Sequence, residues 1–187
     1  KDNEENKVRR KALEDVLENY GLFLAEEDVI CGDWNYMDVM EKLPVWLDER
    51  KELPGAIICA NDVMAMAVCA VLKNRGIRVP EDVLVTGFDH LETARKNNPK
   101  IATVDRNWGQ MGYLAMHHLL DKIEGKETQS TLLVKSIGIP AKSCGCDYWE
   151  DFKNPYADED NGLYQRLVNV VYWGGHLCDI SESMAKI

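Results

Sequence analysis

The sequence predicts an α/β fold in which a parallel sheet is flanked by helices, with a helical extension at the C-terminal end. Three observations carry this. Short apolar runs at 56–60 and 83–86 end on polar residues, Asn61-Asp62 and Asp89. Helical periodicity fills the interval between them, giving the strand–helix–strand rhythm of a right-handed parallel crossover. The runs are continuously apolar and do not alternate, as strands covered on both faces are. The architecture expected is therefore Rossmann-like.

The elements follow in order. Residues 3–20 read as a helix: Asp2 or Asn3 can cap it, and Glu4 and Glu5 suit its positive end. Val8, Ala12, Leu13, Val16, Leu17 and Tyr20 fall on one face, and Gly21 stands where a helix stops. Residues 29–33 read as a short strand. A helix with Val39, Met40, Leu43, Trp46 and Leu47 as its apolar positions comes next, with Pro44 disturbing its start or its regularity. Then come a strand at 55–60, a helix at 62–75 closed by Gly76, and a strand at 83–86. Residues 91–100 are polar and irregular. A strand at 101–104, a helix at 108–124 closed by Gly125 and a strand at 131–136 complete the pattern. After Cys144-Gly-Cys146 the character changes: 147–160 is acidic and aromatic, with Pro155, and reads as a linker. Residues 162–173 and 176–186 read as two short helices broken at Gly174-Gly175, a connecting or partner-binding segment.

Composition narrows the function. In 187 residues, 45% hydrophobic and 29% charged, the chain has material for one good domain and an appendage. A net charge of −10 argues against nucleic-acid binding by this segment. The densest basic cluster, Lys7 to Lys11, is interleaved with Glu4, Glu5, Glu14 and Asp15, as on a solvated helix face. No apolar run reaches the roughly 18–20 residues that span a bilayer, and no signal peptide opens the sequence. The chain begins at Lys1 and enters a helix directly, as an excerpt of a longer polypeptide would. Cys31, Cys59 and Cys69 lie in apolar stretches that read as core, and the six cysteines form no dense framework, so a reducing cytoplasm is expected.

In an open parallel sheet, ligands bind where the strands end. Asn61 and Asp62 are both good helix caps, so one caps and the other is free to point into a crevice. Asp89 either closes a turn or joins it at that edge. Trp34, after another strand exit, can stack on a sugar or base, or simply cover the sheet. Trp108 opens a helix, where core packing is the competing role. His90, beside Asp89, can titrate at a pocket rim.

Cys144-Gly-Cys146 with His176-Leu-Cys178 offers four possible zinc ligands, but C-x-C and H-x-C are tighter than structural zinc pairs, so a disulfide or free thiols are expected and no metal. His117 and His118 are adjacent on a helix and face different ways, so they are no metal pair. No phosphate-binding glycine loop, nucleophile elbow or H-E-x-x-H occurs, which leaves an enzyme unsupported and no cofactor expected.

Four motifs occur in series: Ala60-Asn-Asp-Val-Met-Ala65, Gly76-Ile-Arg-Val-Pro-Glu-Asp-Val83, Val85-Thr-Gly-Phe-Asp89 and Pro99-Lys-Ile-Ala-Thr-Val104. They resemble the effector-binding domain of lactose-repressor-like (LacI/GalR) transcription regulators, which has the type I periplasmic-binding-protein fold. The resemblance covers about residues 1–146 and implies a pocket that senses a small molecule, a sugar being the family's commonest case. It implies ligand contacts at Arg9, Trp34, Asn61 and Asp89, with Trp108 near the hinge. A guanidinium at Arg9 would hold sugar hydroxyls or a carboxylate in its fork.

The chain departs from the family at Ala12 and Leu13, where a glycine and an aromatic are usual, and at Arg106, where many members carry Gln. The part that resembles the family is most of the second lobe without its first strand, with 105–127 belonging to the other lobe. The remainder of that lobe and the helix-turn-helix are expected outside this sequence, so DNA would be reached only through that region. The resemblance further implies a homodimer, a cytoplasmic location and no membrane partner. Two rivals remain: an exported solute-binding protein of an ABC transporter, and a Rossmann-like enzyme.

Overall fold

The computed structural model describes residues 4–146. The linker and the two short helices expected beyond Cys146, with His176 and Cys178, lie outside the described residues. The chain divides into two compact units: one holds the described residues up to Asp105 and those from Gly138 onward, the other runs Arg106–Ile137.

The first unit opens with α1 (Glu4–Asn19), whose acidic first turn complements the helix dipole and whose end is followed by Gly21 at φ 69°. α2 (Tyr36–Asp48) is capped by Asn35, whose side chain accepts from the Asp38 N–H at 2.9 Å, and it carries Pro44 inside. β1 (Ala56–Ile58), α3 (Asp62–Asn74) and β2 (Leu84–Thr86) form the expected unit, with β1 and β2 parallel and Ile57 opposite Val85. β3 (Thr103–Asp105) joins β2 through a parallel bridge between Thr86 and Ala102 and pairs with β4 (Ile137–Ile139). The mixed helix and parallel sheet is the α/β architecture expected.

The core lies where α2 and α3 pack together against β1 and β2. Leu43, Val71, Leu72, Val83, Val85 and Ile101 are fully buried there, each aliphatic side chain worth about 1.5–3 kcal/mol of transfer free energy. Ser143 stitches the next two strands together. Its hydroxyl donates to the Val85 carbonyl at 2.6 Å and accepts from the Ala102 N–H at 2.8 Å.

Four expectations are corrected. Residues 29–33 are not a strand: a 3-10 turn at Glu26–Asp28 leads into Val29, which is extended (φ −104°, ψ 114°), but no described strand pairs with this stretch. Strands exist only as ladders, so apolar character without a neighbour is not enough. The last strand falls at Ile137–Ile139, not 131–136, because Ile139 finds a buried site while Leu133 stays 91% exposed. A short helix, α4 (Glu92–Lys96), occupies part of the stretch read as irregular, held by buried Ala94 and the Glu92–Lys96 ion pair. Cys31, read as core, is exposed, and on α1 Val8, Val16 and Tyr20 stay exposed while Leu13 and Leu17 are half-buried. Cys59 and Cys69 are buried as expected.

The second unit carries α5 (Trp108–Ile123), entered from Asn107 in the left-handed region and closed by Gly125 at φ 74°.

Candidate functional site

In the first unit two strand exits and the turn at residues 31–34 are tied to one another and to α1. At residues 31–34 the chain turns through Asp33 and Trp34, both with positive φ (43° and 65°). At 60–62 Asn61 caps α3, its side-chain oxygen accepting from the Met64 N–H at 2.8 Å. Its amide nitrogen donates to the Trp34 carbonyl at 3.1 Å, so one side chain starts a helix and fixes a neighbouring exit. A cap of this kind is worth about 1 kcal/mol. At 87–90 the Phe88 carbonyl accepts from the Asp62 N–H at 2.9 Å, and Asp89 and His90 again have positive φ (107° and 56°). Left-handed backbone at non-glycine residues costs on the order of 1–3 kcal/mol each and persists only where surroundings impose it.

Arg9 is the hub. Its Nη1 donates to the Ala60 carbonyl and its Nη2 to Glu5 Oε1 at 2.5 Å. The guanidinium carbon lies 3.7 Å from the Phe88 ring centroid and 5.1 Å from that of Trp34. Cation–π contacts of this kind contribute about 0.5–2 kcal/mol each. One cation from α1 therefore touches both exits and the turn. Arg9, Trp34 and Phe88 share the wall of a cavity of about 1110 Å³.

Asp62 is the buried keystone. Its side chain is 0% exposed, Oδ1 accepts from the Thr103 hydroxyl at 2.6 Å, and Oδ2 accepts from the Leu91 N–H at 2.7 Å. Thr103 in turn accepts from the His90 N–H at 3.2 Å. Gly87 is required beside it, since a Cβ there would meet Asp62 Oδ1 at 2.3 Å and its Cα at 3.0 Å. Burial pushes the Asp62 carboxyl above its ordinary 3.8, with the bonds from Thr103 and Leu91 opposing. A raised native value favours the folded state while the group is protonated. That contribution is complete below about 3.8 and is lost as pH rises through the native value. Relative to Asp62→Asn, the natural chain should therefore lose stability as pH rises from about 4, measured by urea denaturation at successive pH values.

The expected site residues are placed unequally. Arg9, Trp34 and Asn61 are brought together. Asp89 follows Phe88, and its N–H donates to the Val104 carbonyl at 3.0 Å. Trp108 belongs to the second unit, half exposed, with the Arg106 guanidinium 4.4 Å from its ring. Phe88 was missed as a site residue. The signal was its place between Gly87 and Asp89 at a strand exit. Among the described residues no group of three His, Cys, Asp or Glu could hold a metal. Burial pushes both core thiols up, Cys69 to about 12, so neither is a ready nucleophile. Among the described residues, no helix is long and apolar enough to cross a membrane.

The family model of the periplasmic binding protein-like domain matches residues 1–138. The chain belongs to this family. Within it, the likeness is to the effector-binding domain of LacI/GalR-type regulators. The chain is 30% identical over 139 residues to the HTH-type transcriptional repressor PurR of Erwinia tasmaniensis, covering 74% of this chain and 40% of that repressor. Among solved structures it is similar to a LacI-type transcription regulator from Bifidobacterium animalis subsp. lactis, with TM-score 0.68 and 26% identity over 74% of this chain and 50% of the other. It is also similar to the transcriptional regulator CelR in complex with cellobiose, with TM-score 0.65 and 29% identity over 72% of this chain and 41% of the other. These relatives of the periplasmic-binding-protein-like domain are transcription regulators and not enzymes. The chain spans between two fifths and one half of their length.

Proposed function

We propose that this chain is part of the effector-sensing domain of a LacI-type transcription regulator, and that the two strand exits and the 31–34 turn held by Arg9 form one jaw of its small-molecule site. The observation that carries the reading is the Arg9 guanidinium braced by the Ala60 carbonyl between the Trp34 and Phe88 rings. A fixed fork of donors beside aromatic faces suits a ligand with a flat apolar face and hydroxyl or anionic edges, such as a sugar. Asp89 supplies a carboxylate at the same edge, Asn61 fixes that edge through its bonds to Met64 and Trp34, and Trp108 is a further candidate contact suggested by the family resemblance. One of the similar solved structures is a regulator in complex with cellobiose, which supports a sugar as the ligand class.

Ligand held between two jaws would favour one arrangement of a homodimer over another through its differential affinity, and pass the change to a DNA-binding region outside this sequence. Such a regulator acts in the cytoplasm.

The test is a thermal-shift screen of sugars and purines on the full-length regulator, followed by Arg9→Ala. A ligand at a hundred times its Kd stabilises by about 2.7 kcal/mol. Arg9→Ala should erase that gain while the ligand-free melting point moves much less. Equal responses from natural chain and variant would remove Arg9 from the site.

A further inference from the structure

Residues 141–146 form a closed turn that carries two thiols. Ser143 pins it: the residue is fully buried, its hydroxyl bridges Val85 and Ala102, and its N–H donates to the Lys100 carbonyl at 3.0 Å. From this anchor a 3-10 turn, Lys142–Cys144, ends on Gly145 in the left-handed region at φ 79°. The Gly145 N–H returns to the Lys142 carbonyl at 2.9 Å and the Cys146 N–H to the Ala141 carbonyl at 3.3 Å, the paired bonds of a Schellman stop. Glycine takes that backbone without strain, so the residue between the two cysteines is the one that bends the chain.

Both cysteines converge on one acceptor. The Ala141 carbonyl accepts from the Cys144 N–H at 3.1 Å, from the Cys144 thiol at 3.1 Å and from the Cys146 N–H at 3.3 Å. The Cys144 sulfur therefore lies on the side of the turn to which Cys146 returns. α-Carbons two residues apart span at most about 7 Å in extended chain, and a bend shortens this into the roughly 4.4–6.8 Å that bridged cysteines take. Cys146 is exposed and Cys144 half-buried, and no disulfide joins them in the structure. Among the described residues no third His, Cys, Asp or Glu completes a metal site with them, so the turn favours chemistry between two sulfurs.

We infer that Cys144 and Cys146 are a thiol–disulfide exchange site, a dithiol that takes a small disulfide of the glutathione class as co-reactant and closes to a bridge between its own sulfurs. The exposed Cys146 gives its proton to solvent, and its thiolate attacks one sulfur of the small disulfide, forming a mixed disulfide and releasing one thiolate. Cys144 then loses its proton and attacks the Cys146 sulfur, forming the Cys144–Cys146 bond and releasing the second thiolate. The protein gives up two electrons and two protons, and the small disulfide becomes two thiols. Bridging removes the Cys144 S–H from the Ala141 carbonyl, but that oxygen keeps both N–H donors, so the turn survives the step and can reopen. In a reducing compartment such a pair rests as thiols and closes only when small disulfides accumulate.

The test treats the full 187-residue chain, first reduced, with oxidised glutathione, quenches with acid at intervals and locates the products by peptide mass spectrometry. The natural chain should lose two hydrogens on the peptide that carries residues 144–146 and retain no glutathione there. Dithiothreitol should restore both thiols. Cys144→Ser, whose hydroxyl can still donate to the Ala141 carbonyl, should hold glutathione on Cys146 at least about tenfold longer, because a thiol in the same turn outruns a second bimolecular exchange. The inference is overturned if the natural chain holds glutathione on Cys146 as long as Cys144→Ser does. It is also overturned if Cys146 bridges to Cys31 or Cys178 instead, or if residues 144–146 do not react at all. No effector enters the test, so the inference stands or falls separately from the sensing role.

Discussion

Asp62→Ala should lower the stability of the chain by about 3 kcal/mol, the largest loss expected from any single side chain near the site. The carboxylate is fully buried and accepts from the Thr103 hydroxyl and the Leu91 N–H. Removing it strands two donors in a place water does not reach, and each unsatisfied group costs about 1–3 kcal/mol. The loss also spreads. Thr103 is what the His90 N–H donates to, and Leu91 is the residue before α4, so the loop carrying Phe88 and Asp89 loses its anchor. Urea denaturation should show the midpoint falling, with near-ultraviolet circular dichroism reporting whether Phe88 and Trp34 keep their setting. A change below about 0.5 kcal/mol, the range of ordinary surface substitutions, would mean that the network is not holding the exit.

Gly87→Ala should cost about 1–3 kcal/mol by overpacking, for a reason tied to the same residue. The added Cβ would lie 2.3 Å from Asp62 Oδ1 and 3.0 Å from the Asp62 backbone. Here glycine answers a need for space and not for unusual dihedrals. The two substitutions should therefore be strongly non-additive. With Asp62 already truncated, the closest clash disappears and Gly87→Ala should cost distinctly less, leaving a coupling of about 1 kcal/mol or more in a double-mutant cycle. Strict additivity would show that Gly87 and Asp62 do not share a site.

Much of this arrangement was legible in the sequence. Helical periodicity located α1, α2, α3 and α5, and Gly21, Gly76 and Gly125 marked the ends of α1, α3 and α5 with the left-handed backbone expected of them. The polar exits at Asn61-Asp62 and Asp89 pointed to the edge at which the candidate site is proposed. The division of labour between Asn61 and Asp62 was open, because both residue types cap helices equally well. Only the fold made Asn61 the cap and turned Asp62 inward to Thr103, 41 residues away in sequence.

Helices and their ends were decided by the sequence itself, since a helix closes its hydrogen bonds within four residues and its stop signals are local. The α/β class followed too, since apolar runs separated by helices leave few other arrangements. Tertiary structure decided whatever needs a distant neighbour. Residues 29–33 are apolar enough for a strand and are not one, because no described strand lies beside them. The amphipathic α1 buries none of its residues, for an apolar stripe specifies a preference and not a partner. Arg9, on that helix, becomes the centre of the candidate site because chain folding brings Ala60, Trp34 and Phe88 to its guanidinium.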